Sequence, residues 1–358
     1  MHASTDPESG QSLAELGTVT RAEFRDSRRA EVDWALSYSA YPRKAELASC
    51  LQGALTRALG VQEVTLRIRL DPGSRPIPAD DPLPGVGNVV WVMSGKGGVG
   101  KSTVATNLAV GLARTGARVG LLDADVYGPS IPTMFGTNSR LVGSGQRILP
   151  VERHGIRLVS MGFLLEEPHA AVVWRGPMLH GALSQFISDV EWGTLDYFIV
   201  DLPPGTGDVA ITLSQKTTGA GVLMVTTPQQ VAATDVFRAV TMCQKVGIPV
   251  LGVIENQSYF TCEHGRRYEL FGAGGGAAVA EMAQAPLLAQ IPLDSAVRQW
   301  GDAGTPVVAA APSSPAGAVF LEVVDSLAVV VARANRARTS VSASSRPTGR
   351  RRRLRVLR

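Results

Sequence analysis

A strand, a glycine-rich loop and a helix follow one another over residues 88–114, and that order constrains the fold more than any other feature of the chain. The apolar run Asn88-Val89-Val90-Trp91-Val92-Met93 leads into Gly95-Lys96-Gly97-Gly98-Val99-Gly100-Lys101-Ser102-Thr103, after which apolar residues recur at helical spacing to residue 114. Glycines remove side chains, so that consecutive backbone N–H groups can turn inward around phosphate oxygens. The loop also ends at a helix N-terminus, whose partial positive charge favours an anion. In such a loop Lys101 reaches the β- and γ-phosphates of a nucleotide and the Ser102 hydroxyl is placed to ligate Mg²⁺.

Lysine usage singles out the same loop. Thirty of the thirty-five basic residues are arginine, and two of the five lysines (Lys44, Lys96, Lys101, Lys216, Lys245) fall within it. Where arginine is the default cation, paired lysines indicate a task for a compact ammonium on a flexible stem. The competing reading, a chance glycine-rich turn, is weakened by the strand before and the helix after.

Downstream, residues 119–123, 197–201, 221–226 and 250–255 are continuous apolar runs, as expected of strands buried on both faces of a parallel sheet. Residues 102–114, 179–190 and 231–246 carry apolar side chains at helical spacing. The alternation predicts an α/β fold over residues 88–332, a doubly wound, mostly parallel sheet that binds ligands at the carboxyl ends of its strands. Residues 1–71 read as a separate small α+β domain with an Asp6-Pro7-Glu8 opening, a strand at 30–37, a helix at 44–59 and a strand at 64–70. Between the two, residues 72–87 contain Pro72, Pro76, Pro78, Pro82 and Pro84, a density that predicts a semi-extended spacer.

Ten arginines and no acidic residue fall between residues 333 and 358; without them the chain's net +4 becomes −6. The basicity therefore belongs to a tail whose Arg/Ser/Thr/Ala composition predicts disorder and non-specific binding to polyanions. Three widely spaced cysteines (Cys50, Cys243, Cys262) argue against a disulfide scaffold and fit a reducing compartment. No segment reads as a membrane span and residues 1–10 lack a signal-peptide pattern, so the expected location is cytoplasmic.

Acidic residues sit where a nucleotide site needs them. Asp201 closes a strand like a Walker B aspartate holding Mg²⁺, with Gly205 and Gly207 following in a loop able to sense a γ-phosphate. Asp123 and Asp125 end another strand, and Asp125 is the candidate for orienting the attacking water. Taken singly, each aspartate reads equally well as a helix cap or loop acid.

The loop resembles the deviant Walker A family, in which the extra lysine crosses a dimer interface to the partner's nucleotide and acts like an arginine finger. Here that residue is Lys96, and the resemblance implies a homodimer with ATP and Mg²⁺ near the two-fold axis. Asp123-Ala124-Asp125-Val126-Tyr127-Gly128-Pro129-Ser130, Trp174-Arg175-Gly176-Pro177, Asp201-Leu202-Pro203-Pro204-Gly205-Thr206-Gly207-Asp208 and Ile254-Glu255-Asn256 resemble the Mrp/ApbC-type iron–sulfur carriers specifically. The first 71 residues resemble the MIP18-like domain often fused ahead of them. The resemblance implies that Asn256 reads the adenine, that Pro292 packs on the base, and that the clients are apo iron–sulfur proteins or assembly factors.

One departure bears on the cargo. Carriers with a bridging cluster place a Cys-x-x-Cys after the Ser-Tyr-Phe segment, whereas this chain reads Thr261-Cys262-Glu263-His264-Gly265. Two Cys262 thiolates from a dimer, with two His264 rings, make one ligand set. The same residues also read as a small half-buried group and a surface loop histidine. Three readings follow: an ATP-hydrolysing cluster carrier, a cluster-free nucleotide switch acting on a partner, and a partition-type ATPase holding DNA or membrane through its tail.

Overall fold

The computed structural model describes residues 13, 17–36, 44–70, 73–126, 128–144, 147–164, 176–205 and 208–344. Asp6 to Glu8, Tyr127, Trp174, Arg175, Thr206, Gly207 and residues 345–358, on which expectations were placed above, lie outside the described residues. An N-terminal sheet orders β1 (Gly17–Phe24), β2 (Arg29–Leu36) and β3 (Glu63–Leu70), with β1–β2 antiparallel and β2–β3 parallel. The parallel pair needs a crossover, and the helix Lys44–Leu59 supplies it, burying Leu47, Leu51, Ala54 and Leu55 among Val32, Trp34 and Leu36. Strand β1 has no counterpart in the sequence reading, because it is an edge strand whose side chains are largely exposed and so carries little apolar pattern.

The chain continues through β4 (Val86–Ser94), β5 (Val119–Asp123), β6 (Val142–Ser144), β7 (Arg147–Leu149), β8 (Val151–Arg153), β9 (Ile156–Ser160), β10 (Leu195–Asp201), β11 (Gly221–Thr226), β12 (Val250–Glu255), β13 (Phe260–Thr261), β14 (Arg267–Tyr268) and β15 (Leu287–Gln290). Eight of these form one sheet in the order β15-β12-β11-β4-β10-β5-β9-β8, parallel except for β8 at the edge. Alternate side chains of β4 and β10 divide between two cores. Val90, Val92, Tyr197 and Ile199 pack with Val104 and Leu108 of the helix Lys101–Arg114 and with Phe320 and Val324 of the final helix. Trp91, Met93, Phe198 and Val200 pack with Leu183, Phe186, Val236 and Val240 on the opposite face. Burial on both faces explains the unbroken apolar runs, and the expected doubly wound architecture is the one observed.

Three expectations are corrected. The final helix runs Pro315–Ser344, so residues 333–344, expected to be disordered, are helical. Asn335 is buried and its amide donates to Asn88 Oδ1 at 2.7 Å, while the Arg338 guanidinium donates to the Gly219 carbonyl at 2.9 Å. Polar contacts anchor this segment, which an apolar pattern does not reveal. Its stretch Pro315–Asn335 has the length and apolarity of a membrane span, a property the sequence reading overlooked. Here it serves as a core helix, burying Ala316, Phe320, Val323, Val324, Leu327 and Val331 beneath the sheet. The same helix places Val329 and Ala332 against the N-terminal cluster of Leu13, Trp34, Leu36, Leu47 and Leu51, so the two units share a packed contact.

The proline-rich segment is also docked instead of extended. Arg75 and Asp81 have no exposed side-chain surface and form a bidentate pair, Nη1–Oδ2 at 2.5 Å and Nη2–Oδ1 at 2.9 Å. Arg75 donates further to the carbonyls of Thr218 and Leu83, and Leu83 itself is a core residue. The buried ion pair fastens the segment to the sheet domain.

Candidate nucleotide site

Strand β4 delivers the chain to the carboxyl edge of the sheet, where the loop turns directly into the helix Lys101–Arg114. Two glycines are dictated by space. A Cβ on Gly95 would lie 2.3 Å from the backbone of Asp235 and Val236. Gly100 has φ 80°, and a Cβ there would meet Asn256 Nδ2 at 2.2 Å. Ser94 Oγ donates to the Lys96 carbonyl at 3.0 Å and Asn256 Nδ2 to the Val99 carbonyl at 2.9 Å, so the loop is pinned from both sides.

The charged groups converge at the helix start. Lys101 is 6% exposed; its Nζ lies 2.7 Å from Asp201 Oδ1 and 3.4 Å from Asp125 Oδ2. Ser102 Oγ donates to Asp201 Oδ2 at 2.5 Å. Hydroxyl and carboxylate oxygens side by side are the hard donors that Mg²⁺ takes, so the residues fit that ion. Asp123 and Asp201 are register partners on β5 and β10, both fully buried. Asp123 accepts from Ser160 Oγ at 2.7 Å and from the Asp125 backbone N–H at 3.1 Å, which fixes the start of the loop carrying Asp125.

Burial, reinforced by the nearby Asp201 charge, pushes Asp123 up to about 8 against the pull of the Ser160 hydroxyl. Between its ordinary range near 4 and that value, the folded protein holds a proton that the unfolded chain releases, so this group costs stability as pH rises through the interval. Asp123→Asn should remove the cost. The amide can donate to Ser160 Oγ, which also accepts from the Gly162 N–H at 2.9 Å. In magnesium- and nucleotide-free buffer, the Tm difference between variant and wild type should turn in the variant's favour progressively from about pH 5 to 8. A difference that is flat with pH would show that Asp123 is ionised throughout.

Beyond the charges lies a cleft in two chambers. One, of about 220 Å³, is lined by Lys96, Gly97, Gly98, Lys101, Ser102 and Asp125. The other, of about 430 Å³, is lined by Asn107, Asn256, Pro292, Leu293, Val297 and Val307 among others. Gly100, Thr103, Ser130 and Met134 line both, so the chambers are continuous. A chamber lined by lysine, serine and aspartate at a helix N-terminus, joined to a larger, mainly apolar one, matches a nucleotide's phosphates and base.

Of the loop residues singled out in the sequence, Lys96, Gly97, Gly98, Gly100, Lys101, Ser102 and Thr103 line this cleft with Asp125, Asn256 and Pro292, whereas Gly95 and Val99 line neither chamber and the buried Asp201 meets the site through Lys101 and Ser102. Cys262 and His264 line neither chamber. Cys262 is half-buried in the turn after β13, its N–H bonded to the Arg266 carbonyl at 3.0 Å. His264 is 84% exposed beside Glu263. Among the described residues no three His, Cys, Asp or Glu side chains cluster as a metal site, so one chain holds no ready ligand set for a cluster. Cys243 is buried 3.8 Å from the Met93 sulfur and its thiol is pushed up to about 12 by burial, which makes it an inert core group. Sequence reasoning passed over Ser160 and Asn107. Asn107 accepts from the Val308 N–H and donates to the Thr103 carbonyl, bracing the cleft wall. A polar residue on the buried face of the phosphate-loop helix was the available signal.

A profile of the ParA group described as the NUBPL iron-transfer P-loop NTPase matches residues 85–328. The chain belongs to that family. An iron-sulfur cluster carrier protein of Deinococcus radiodurans is 47% identical over 326 residues, covering 90% of this chain and 91% of its own. One from Synechocystis is 43% identical over 317 residues, covering 86% and 89%. Among solved structures, a nucleotide-binding protein from Archaeoglobus fulgidus in complex with ADP superposes with a TM-score of 0.56 at 39% identity, over 64% of this chain and 92% of that one. This iron-transfer NTPase is therefore a P-loop ATPase whose described cleft coincides with the part of the chain that defines the family.

Proposed function

We propose that this iron-transfer NTPase works as a cytoplasmic homodimer that hydrolyses ATP and carries an iron–sulfur cluster to apoproteins. The carrying observation is the joined cleft, in which Lys101, Ser102, Asp125 and Asp201 meet within hydrogen-bonding range at one end and Asn256 and Pro292 wall the other. Likeness to named cluster carriers along nine-tenths of the chain supports the cargo.

In this reading Lys101 and the loop N–H groups bind the β- and γ-phosphates. Ser102 and Asp201 hold Mg²⁺, which neutralises charge on the phosphate oxygens when bound. Asp125 orients the attacking water, Asn256 and Pro292 hold the base, and Lys96 completes the partner's site across the two-fold axis. Cys262 from each subunit grips the cargo, with His264 as the additional donor.

The single cysteine of the hairpin favours the cluster-free switch as a second reading. Iron and sulfide content after anaerobic reconstitution separates the two. Cys262→Ser should lose most of the bound iron while keeping nucleotide affinity, and His264→Ala should reduce retention. Equal iron in wild type and Cys262→Ser would leave the switch.

A further inference from the structure

Glu255, the last residue of β12, is fully buried and uses both carboxylate oxygens. Oε1 accepts from Ser258 Oγ at 2.5 Å and from Gln290 Nε2 at 2.8 Å, and Oε2 accepts from the Gly276 N–H at 2.6 Å. Those partners belong to three different places. Ser258 stands at the entry to the β13–β14 hairpin that carries Cys262, and Gly276 lies in the first turn of the helix Gly275–Ala283 beyond the hairpin's exit. Gln290 ends β15, two residues before Pro292 of the base chamber.

Backbone bonds tighten the same junction. Ile291 N–H donates to the Glu255 carbonyl at 2.8 Å, Ser258 N–H to the Ile291 carbonyl at 2.8 Å, and Leu293 N–H to the Tyr259 carbonyl at 2.6 Å. Pro292 and Leu293 are thus stitched to the root of the hairpin, and the neighbouring Asn256 is bonded to the phosphate loop. The helix beyond the hairpin packs closely on Glu255, since a Cβ on Gly276 would lie 2.7 Å from Glu255 Cβ. Hydrogen bonds to a buried carboxylate are short and strong, and an anion at a helix N-terminus gains from the helix dipole.

We propose that Glu255 is a positioning residue that ties the entry of the Cys262 hairpin, and the helix Gly275–Ala283 that follows it, to the wall of the base chamber, so that nucleotide binding alters the reactivity of the Cys262 thiol. The inference rests on the nucleotide reading of the cleft and is independent of the cargo. A displacement of Asn256 or of residues 290–293 reaches the hairpin entry through the Glu255 carboxylate and the backbone bonds of Ser258 and Tyr259, where a flexible loop would absorb it. Linkage makes the effect reciprocal: modification of Cys262 changes nucleotide affinity by the same factor.

The test uses the full chain, with N-ethylmaleimide alkylation of Cys262 followed by peptide mass mapping, with and without Mg-ADP, and with ADP affinity measured in parallel. Wild-type Cys262 should change its alkylation rate on the order of fivefold when ADP binds. Ser258→Ala removes one entry-side bond, and Glu255→Gln sets an amide N–H against either the Gly276 N–H or the Gln290 side-chain N–H that now donate to the carboxylate. Both should reduce the ratio below about twofold with ADP affinity held within about threefold. An ADP-insensitive Cys262 in wild type, or an undiminished ratio in both variants, overturns the proposal. Loss of ADP binding in Ser258→Ala also overturns it, by making that hydroxyl part of the nucleotide fold. No ADP binding to the wild type would defeat the nucleotide reading together with the inference, whereas iron content reports on the cargo alone.

Discussion

Lys96→Ala is expected to bind ATP with near wild-type affinity and to hydrolyse it about 10³-fold or more slowly, the scale of a charge supplied in trans to phosphoryl transfer. Lys101→Ala should behave differently. Its ammonium is buried between Asp201 and Asp125, so its loss removes the charge facing the phosphates and leaves two neighbouring carboxylates without that cation. Binding itself should therefore fail. Lys96 is half-buried in the wall of the phosphate chamber and has no carboxylate partner of the kind that holds Lys101 among the described ion pairs. Complementation separates a partner-supplied lysine from a local one. In a mixed dimer of Lys96→Ala and Asp125→Asn subunits, the first subunit's site keeps its own Asp125 and receives an intact lysine. Equal mixing with free exchange should restore roughly a quarter of wild-type phosphate release, since half the dimers are mixed and each has one competent site. No recovery, with mixed dimers shown to form, would place Lys96 in its own subunit's reaction.

Arg75→Ala should destabilise the protein by about 3–5 kcal/mol, because it leaves the Asp81 carboxylate buried and unpaired. It also strands the Thr218 and Leu83 carbonyls that the guanidinium satisfies. The sign of the pair's own contribution is a separate matter, since desolvation offsets much of the attraction. Replacing both partners at once, Arg75→Met with Asp81→Leu, should recover most of the loss. Chemical denaturation of the two variants against wild type checks both statements. An Arg75→Ala midpoint equal to wild type would mean that the proline-rich segment is not fastened by this pair.

Much of the nucleotide site was legible because its chemistry is local in sequence. A phosphate loop needs its glycines, lysine and hydroxyl at adjacent positions, and buried parallel strands announce themselves as unbroken apolar runs ending in the acids. The strands Val119–Asp123, Gly221–Thr226 and Val250–Glu255 and the helix Lys44–Leu59 occur at the residues expected. Glu255 illustrates the limit: as one letter in Ile254-Glu255-Asn256 it gives no sign that Ser258, Gly276 and Gln290 converge on it. Ser160 is similar, since nothing in the sequence marks it as the partner of Asp123, 37 positions away.

What the sequence alone determined was the fold class and the phosphate-binding loop, since both follow from periodicity and short-range spacing that each segment carries in itself. The tertiary structure decided where polar groups with distant partners go. Prolines and a run of arginines, read by composition, predict a spacer and a disordered tail, yet Arg75 finds Asp81 and the Thr218 carbonyl, while Asn335 finds Asn88. Burying such groups is unfavourable until every partner is in place, so their positions are settled only when the sheet, the linker and the final helix have come together.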